Sequence, residues 1–396
     1  MTVIIQGAQV LLGPCGEPRP VADILIRDRR IVAITPPGNP HPADAQRIDG
    51  EGLVAAPGFI DLHVHGGMGA DFMDATEEAF ATIGAYHAGG GTTAYMPTTC
   101  TEPLPSIVST LDMAARCREQ RIGGVGILGV HIEGPYFAPT KAGCHVLQYV
   151  RVPTAAENRV YLDRAPIIAR MTMAPEVPGV LDFLRDAARK GIIASGGHSE
   201  ATLDETARAV DQGMTMITHL YCAMSSILKR GPHRIGGMLE ATLLDDRLAT
   251  ELIADLRHVN VDLMRLALKT KAGSAVCLVT DAMRGAGMPD GDYFVGSRIG
   301  AQVVVENGIA RNRANTGFAS STVRMIDLVR NAVAALGLDL AAAVRRASLI
   351  PATIAGIADR KGSIEVGKDA DIVLLAETPR LEVRLTMVGG EVIHRA

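Results

Sequence analysis

Eight short apolar segments, separated by amphipathic stretches, constrain the fold of this chain more than any other feature of its sequence. Between the segments, apolar residues recur with a 3.6-residue period and several stretches end at Gly, which is typical of helices. The pattern predicts strands over residues 58–63, 92–97, 126–131, 168–175, 191–196, 214–219, 251–255 and 276–281, and helices over stretches such as 77–89, 104–120, 179–191 and 201–213.

This alternation predicts an α/β protein built as a (β/α)8 TIM-type barrel, a fold that usually takes about 250 residues and tolerates insertions. A doubly wound open sheet is the alternative. That alternative is disfavoured because no GxGxxG motif follows the first strand candidate.

The two ends of the chain have a different character from the middle. Both contain short runs rich in β-branched residues, so we expect them to pair into a small β-sandwich domain beside the barrel. The predicted boundaries are residues 1–57 plus 360–396 for the β domain and 58–359 for the barrel. Residues 285–313 do not look helical, and Asn307-Gly308 between apolar runs predicts a hairpin inserted on the loop face.

Composition narrows the class of protein. The net charge is −4 with no basic block, so we expect no nucleic-acid partner. No apolar run is long enough for a membrane span, and the N-terminus does not resemble a signal peptide. The cysteines form no CxxC pair, which favours reduced thiols in a cytoplasmic enzyme. These cysteines are Cys15, Cys100, Cys117, Cys144, Cys222 and Cys277.

Histidines and carboxylates gather at the predicted strand ends. In a (β/α)8 barrel the C-terminal strand ends meet at one mouth, where active sites lie. A single histidine after a strand is more often a core residue, and a lone aspartate often caps a turn, but the recurrence favours one site. The residues are His63 and His65 (first strand), His131 and Glu133 (third), His198 (fifth), His219 (sixth) and Asp281 (eighth).

The stretch 126–145 shows how such a site can be assembled. Side chains two residues apart on a strand share a face, so His131 and Glu133 can both point into one pocket. His145 follows on a glycine-containing loop that can fold back over it. Histidine and carboxylate ligands suit Zn²⁺ or a similar ion. Such an ion lowers the pKa of bound water to about 7, and a nearby carboxylate can move the proton, which indicates hydrolysis.

Six segments of this chain, in order, resemble the motifs of the N-acetylglucosamine-6-phosphate deacetylase family in the amidohydrolase superfamily. They are GFIDLHVHGGMGADFMD, HIEGPYFAPTKAGCH, MTMAPE, GGHSEAT, THLYCAM and LVTDA, and the closing GSIEVGKDADIVLL resembles that superfamily's return to its small β domain. Together they are specific and cover nearly the whole chain. The resemblance implies release of acetate from an N-acetylated amino sugar, and the expected substrate is N-acetylglucosamine 6-phosphate.

The resemblance also implies residue roles. Glu133, His198 and His219 would hold a divalent metal, with Zn²⁺ expected. His63 and His65 match the HxH that supplies a second metal site in some members, so one or two metals stay open. His131 would be structural. Asp281 would act as general base and then general acid. Substrate contacts would come from Cys144, His145, Cys222, Ala223, Arg230, Asp255, His258, Phe318, Ala319 and Ser320.

Within that set, the resemblance gives three residues a specific task. His145 would polarise the acetyl carbonyl or bind the sugar, and His258 would bind the sugar phosphate or hydroxyls. Arg230 would meet the phosphate, which a guanidinium fork suits. Part of the pocket can come from a neighbouring subunit in this family, so a homodimer is implied.

The chain departs from the family pattern on the substrate side. Cys222 stands where Asn is usual, Leu256 where Gly is usual, Val146 where Asn is usual, and Ser320 where Gly is common; GPHR rather than EPG follows Arg230. Alternative substrates are therefore N-acetylgalactosamine 6-phosphate, an unphosphorylated N-acetyl sugar or an N-acyl amino acid. Many other amidohydrolases carry a Lys on strand four that bridges two metals. Here the fourth predicted strand ends in MAPE, without a Lys, which counts against such a relative. A non-catalytic relative would lack the metal-site residues that are present here.

Overall fold

The computed structural model describes residues 2–11, 19–271, 276–314 and 317–396. Cys15, one of the six cysteines predicted to be reduced, lies outside these ranges. The other five cysteines are free thiols.

Eight parallel strands form the barrel, and each predicted strand is present. The hydrogen-bonded order runs from barrel strand 1 to barrel strand 8 along the chain. The seventh strand begins two residues earlier than expected, and the eighth is shorter. Barrel strands 1 to 8 are Phe59–Val64, Thr92–Thr99, Val130–Glu133, Ile168–Met173, Ile193–Gly196, Met214–Ile217, Ala249–Leu252 and Val276–Leu278, and a short strand Gly126–Ile127 precedes the third.

Helices follow the barrel strands, as the 3.6-residue periodicity predicts. Side-chain caps fix several of their starts: the Thr202 hydroxyl oxygen accepts a hydrogen bond from the Glu205 N–H, and the Glu205 carboxylate accepts one from the Thr202 N–H. The α-helices are Glu77–Ala88, Leu104–Gln120, Ala155–Asp163, Val180–Arg189, Leu203–Asp211, Met238–Leu244, Val261–Thr270, Met325–Ala334, Leu340–Ala347 and Leu349–Ile354. Short 3-10 helices lie at Phe72–Asp74, Pro139–Lys141 and Leu147–Tyr149.

The barrel closes between its first strand and the segment after its eighth. Val64 and Ala282 form a parallel bridge, and the Asp281 N–H donates to the His63 carbonyl oxygen at 2.8 Å. The chain segments that carry HxH and Asp281 are therefore hydrogen-bonded neighbours at the seam of the barrel.

Strands from both ends of the chain share one mostly antiparallel sheet, as predicted. Val54–Pro57 from the N-terminal segment pairs with Ile372–Ala376 from the C-terminal one and joins the two halves. An apolar cluster that includes Phe59, Leu328 and Val373 packs this sheet against the barrel. The remaining strands are Thr2–Val10, Val21–Arg27, Arg30–Thr35, Gln46–Asp49, Glu382–Val388 and Glu391–Arg395. The exact domain boundaries stay a prediction.

The segment after barrel strand 8 forms a separate three-stranded antiparallel sheet. Its strands are Gly291–Val295, Ala301–Glu306 and Ile309–Asn312, and the hairpin predicted at Asn307-Gly308 joins the last two. Two further hairpins pair Gly66–Gly67 with Ala70–Asp71 and Leu228–Arg230 with His233–Ile235. Among the described residues, no helix has the length and apolar character needed to cross a membrane.

Candidate active site

The Glu133 carboxylate lies at the centre of a buried cluster of histidines at the barrel mouth. Its Oε1 is 3.1 Å from His219 Nε2 and 3.2 Å from His198 Nε2. Its Oε2 is 3.3 Å from the Nε2 atoms of both His65 and His145. The structure therefore brings together side chains from barrel strands 1, 3, 5 and 6 and from the loop after strand 3, as the strand-end pattern predicts.

The third barrel strand explains the different positions of His131 and Glu133. Both side chains point into the barrel, but His131 lies one level lower, between the hydroxyls of Thr172 (2.7 Å) and Thr98 (3.3 Å). Burial holds the pKa of His131 well below its usual value. A neutral imidazole held by two hydroxyls supports the cluster from below, while Glu133 reaches into the cavity.

Several site residues have a left-handed backbone although they are not glycine. The φ angles are +49° at His198, +27° at His219 and +48° at Asp281. This region disfavours residues with a Cβ by about 1–2 kcal/mol each. Such strain concentrates at functional sites, where the surrounding structure enforces it. The turns that aim these side chains into the mouth thus depend on the barrel beneath them.

Hydrogen bonds at the far ring nitrogens set the histidine tautomers. His198 Nδ1 donates to the Lys141 carbonyl oxygen at 2.7 Å, and His63 Nδ1 donates to Glu251 Oε2 at 3.1 Å. An imidazole that donates from Nδ1 keeps a lone pair at Nε2, the form that binds metals. His145 is arranged in the opposite sense: the Thr101 N–H donates to its Nδ1 at 3.2 Å, so the neutral ring carries its proton on Nε2.

The ionised carboxylates of the site favour the binding of a cation in the cavity. Burial lowers the pKa of His63, but the charges of Glu133 and Asp281 outweigh burial and raise it to about 10, so without a metal the ring also holds a proton at Nε2, in the place that a bound cation would take. Burial raises the pKa of Glu133, yet the His63 charge and a hydrogen bond from His145 hold it well below its usual range. The carboxylates are therefore ionised at neutral pH and attract positive charge to the cavity.

Two groups of side chains have the donors and spacing for a metal ion, and they share Glu133. The first is His63, His65 and Glu133, and the second is Glu133, His198 and His219; within each group the ligand atoms lie within 4.8 Å of one another. Three or four nitrogen and oxygen donors of this kind suit Zn²⁺. His63 and His198 both engage Nδ1 elsewhere and turn Nε2 toward the cavity, so the residues fit a divalent cation.

Asp281 borders the first of these groups. Its Oδ1 lies 3.2 Å from His65 Nε2 and 3.5 Å from His63 Nε2. Burial raises its pKa, but the charge of His63 and the contact with His65 outweigh burial and lower it. An ionised carboxylate at this position can accept a proton from a water molecule in the cavity.

The predicted substrate residues divide into two groups. His145 lies in the cluster, and His258 forms a buried pair with Asp255 (Nδ1 to Oδ2, 2.8 Å) and packs on Phe318 with ring centroids 4.8 Å apart. Arg230 lies instead at the end of the strand Leu228–Arg230, in the exposed hairpin that this strand forms with His233–Ile235. Cys222 and Ala223 lie in the turn that follows His219. Cys144 packs against the apolar cluster that contains Ala319. Ser320 directly precedes Ser321, which forms a parallel bridge with Ala282.

Two buried charged residues beneath the site were missed in the sequence. Glu251 contacts His63, and Arg170 pairs with Glu251 inside the barrel. Both occur in segments predicted as strands, where a charged residue among apolar neighbours is usually assigned to the solvent-exposed face. The available signal was that parallel barrel strands are buried on both faces, so a charge within one requires a partner.

Comparison with known proteins agrees with this geometry. Residues 54–393 match the amidohydrolase family. The chain is 34% identical to an N-acetylglucosamine-6-phosphate deacetylase from Vibrio furnissii, over 86% of this chain and 83% of that protein. It is 37% identical to an N-acetylgalactosamine-6-phosphate deacetylase from Escherichia coli O157:H7, over 88% of this chain and 89% of that protein.

Solved structures give the same result at the level of the fold. An N-acetylglucosamine-6-phosphate deacetylase from Pasteurella multocida superposes with a TM-score of 0.91 at 31% identity, covering all of both chains. A variant of the Mycobacterium smegmatis enzyme in complex with N-acetyl-D-glucosamine-6-phosphate superposes with a TM-score of 0.89 at 31% identity, covering 99% of each chain.

Proposed function

This chain belongs to the N-acetylglucosamine-6-phosphate deacetylase family of amidohydrolases, which are metal-dependent hydrolases of amide C–N bonds, and from that premise we propose that it converts N-acetylglucosamine 6-phosphate and water to glucosamine 6-phosphate and acetate. The observation that carries the proposal is the buried mouth in which Glu133, His198 and His219 converge with Asp281 at its edge.

We propose Zn²⁺ as the metal, held by Glu133, His198 and His219, with His63 and His65 able to hold a second ion. The proposal is supported by the nitrogen and carboxylate donors of both groups. When bound, such an ion lowers the pKa of water and draws electron density from an amide carbonyl.

Asp281 moves the proton in this proposal. Its ionised carboxylate accepts a proton from the attacking water, whose oxygen forms the new bond to the acetyl carbon. The same carboxyl then donates that proton to the nitrogen as the C–N bond breaks, so acetate and the amine leave in balance. The lowered pKa of Asp281 supports the first step because the group is already ionised at neutral pH.

His145 stabilises the oxygen that becomes negative. The Thr101 N–H occupies its Nδ1, so the neutral ring carries its proton on Nε2, which faces the cavity 3.3 Å from Glu133 Oε2 and would donate to the acetyl carbonyl oxygen once Glu133 is engaged by a metal. A donor already held in place costs no reorganisation during the reaction, and one such hydrogen bond contributes about 3–4 kcal/mol to transition-state stabilisation.

The sugar and its phosphate lie on the side of the mouth formed by Asp255, His258 and Phe318. The His258–Asp255 pair offers a positioned donor to hydroxyl or phosphate oxygens. Arg230 on the exposed hairpin supplies the phosphate contact, within the pocket of its own chain or of a partner in a homodimer. The free thiols of the described residues support a reducing, cytoplasmic location.

A second candidate substrate is N-acetylgalactosamine 6-phosphate. It is favoured by the 37% identity to the Escherichia coli O157:H7 enzyme named for that sugar, together with the departures at Cys222 and Leu256 beside the sugar. The two sugars differ at one hydroxyl, so a substituted pocket wall changes their relative kcat/KM while the hydrolytic residues stay the same.

The decisive experiment compares acetate release from both 6-phosphates and from the unphosphorylated sugars, with Zn²⁺ supplied. Wild-type protein is compared with Asp281→Asn, and Asp292→Asn serves as the control because that carboxylate is exposed on the inserted sheet. We expect activity on a 6-phosphate, a 10²–10⁴-fold lower kcat in Asp281→Asn, and an unchanged control. Absence of acetate release from every sugar by metal-loaded wild type would refute the proposal.

A further inference from the structure

Glu251 on barrel strand 7 lies fully buried beneath the site and contacts both groups of metal-ligand candidates. Its Oε2 accepts a hydrogen bond from His63 Nδ1 at 3.1 Å and another from the backbone N–H of His219 at 2.9 Å. His63 belongs to one group and His219 to the other. The same oxygen atom therefore holds a ring from the first strand and the backbone at the end of the sixth.

The opposite oxygen of Glu251 is bound by Arg170, which crosses the barrel interior from strand 4. Arg170 Nη1 pairs with Glu251 Oε1, and its Nη2 donates to Thr218 Oγ1 at 2.6 Å and to Ser195 Oγ at 3.1 Å. Both charged side chains are fully buried. Because the guanidinium is held by hydroxyls of strands 5 and 6, the carboxylate has little freedom to rotate away from His63.

This arrangement determines which nitrogen of His63 faces the cavity. An ionised carboxylate only accepts hydrogen bonds, so His63 must donate from Nδ1, and Nε2 is the nitrogen that faces His65 and Glu133 and is left for a metal ion. The contact to the His219 N–H also supports a residue whose φ of +27° is intrinsically unfavourable. Glu133 joins the two groups from above, and Glu251 joins them from below.

We propose that Glu251 is a positioning residue that orients His63 and the end of barrel strand 6 for metal binding, with Arg170 fixing the carboxylate. The inference rests on the metal-dependent function proposed above. Glu251 does not contact the reacting atoms; it acts through His63 and His219. The proposal predicts that Glu251 controls metal affinity separately from its contribution to stability.

The test measures Zn²⁺ stoichiometry and affinity by competition with a chromophoric chelator, together with the visible spectrum of the Co²⁺-loaded protein and thermal unfolding. Glu251→Gln places an amide NH₂ against one set of buried donors, either those of Arg170 or those of His63 and His219. We expect metal binding 10–100-fold weaker and an altered Co²⁺ spectrum, the usual effect of losing a partner of a metal-binding histidine.

Two further variants separate positioning from stability. Arg170→Met with Glu251→Leu replaces the buried ion pair by apolar side chains, a change that is often neutral for folding, yet it still removes the acceptor for His63. We expect this double variant to keep the weakened metal binding. In a His63→Asn background, Glu251→Gln should weaken metal binding by a smaller factor than it does in wild type, because the part of its effect that passes through His63 is already lost and only the part that passes through the His219 backbone remains.

Glu157→Gln is the matched control, since Glu157, a buried residue of the helix Ala155–Asp163, pairs with the half-buried Arg151 away from the site. It should lower the melting temperature and leave metal affinity unchanged. If the Glu251 variants bind metal as wild type does and differ only in melting temperature, the positioning role is overturned while the proposed function stands. Wild-type protein that binds no metal overturns the proposed function itself.

Discussion

His87 provides a pH-dependent test of the barrel's stability that does not depend on the metal. The residue is fully buried on the helix Glu77–Ala88, and its Nε2–H donates to the Gly66 carbonyl oxygen at 3.0 Å. Its Nδ1 is buried without a hydrogen-bond partner among the described residues. Charging the ring would add a proton at Nδ1 with no acceptor. Burial accordingly lowers the pKa of His87 from 6.5 to about 4, and the nearby charge of Arg324 acts in the same direction.

The size of the expected change in the free energy of unfolding follows from the lowered pKa of His87. Below pH 6.5 the unfolded chain takes up a proton that the folded protein refuses down to about pH 4. The stability that His87 contributes is therefore complete above pH 6.5 and is lost as the pH falls toward 4. A difference of roughly 2.5 units, at about 1.4 kcal/mol per unit, corresponds to a loss of about 3 kcal/mol in the free energy of unfolding.

The perturbation is His87→Gln, whose side-chain amide can still donate to the Gly66 carbonyl but does not titrate. Urea unfolding of metal-free wild type and variant is compared between about pH 7.5 and pH 4, and the difference between the two curves is the readout. We expect wild type to lose about 3 kcal/mol more than the variant over this range. His233→Gln, on an exposed hairpin, should follow wild type. Parallel pH dependence of wild type and His87→Gln would refute the reasoning.

Three further predictions concern the site. His145→Ala should lower kcat by about 10²–10³ through loss of a carbonyl hydrogen bond, with zinc content unchanged by elemental analysis; lost zinc would instead assign His145 as a ligand. Leu256→Gly should increase the free energy of unfolding by about 0.5–1 kcal/mol, because Leu256 has φ +63°, a conformation that glycine adopts without strain, and its side chain is partly exposed. A variant that is less stable in urea unfolding would contradict this. Removing the metal with a chelator should abolish acetate release and lower the melting temperature, and Zn²⁺ should restore both; activity that survives complete chelation would exclude a metal role.

The fold was predictable because its main signals are local. Each barrel strand is an apolar run, each helix shows its period, and Asn307-Gly308 marks a hairpin within the chain itself. The pairing of Val54–Pro57 with Ile372–Ala376 is not local, but both ends carry the composition of strands with no other partner in sequence.

The candidate site was predictable where the strand ends determine it and not where packing determines it. The position of His145 over Glu133 follows from the length and glycine content of the loop between them. Glu251 and Arg170 were missed because their pairing joins strands 4 and 7 across the barrel, which no spacing in sequence encodes. The left-handed turns at His198 and Asp281 were missed as well, because neither position carries the glycine that usually signals such a turn.

The seam of the barrel has a consequence for the newly synthesised chain. His63 and Asp281 are hydrogen-bonded neighbours through their backbones but lie at opposite ends of the barrel sequence, with Glu133, His198 and His219 between them. A nascent chain emerging from the ribosome can bring Asp281 beside the candidate metal ligands only after position 281 has left the exit tunnel and the eighth strand has docked. Assembly of the candidate site with Asp281 therefore coincides with completion of the barrel, and translation products that end before position 281 lack the residue proposed to move the proton.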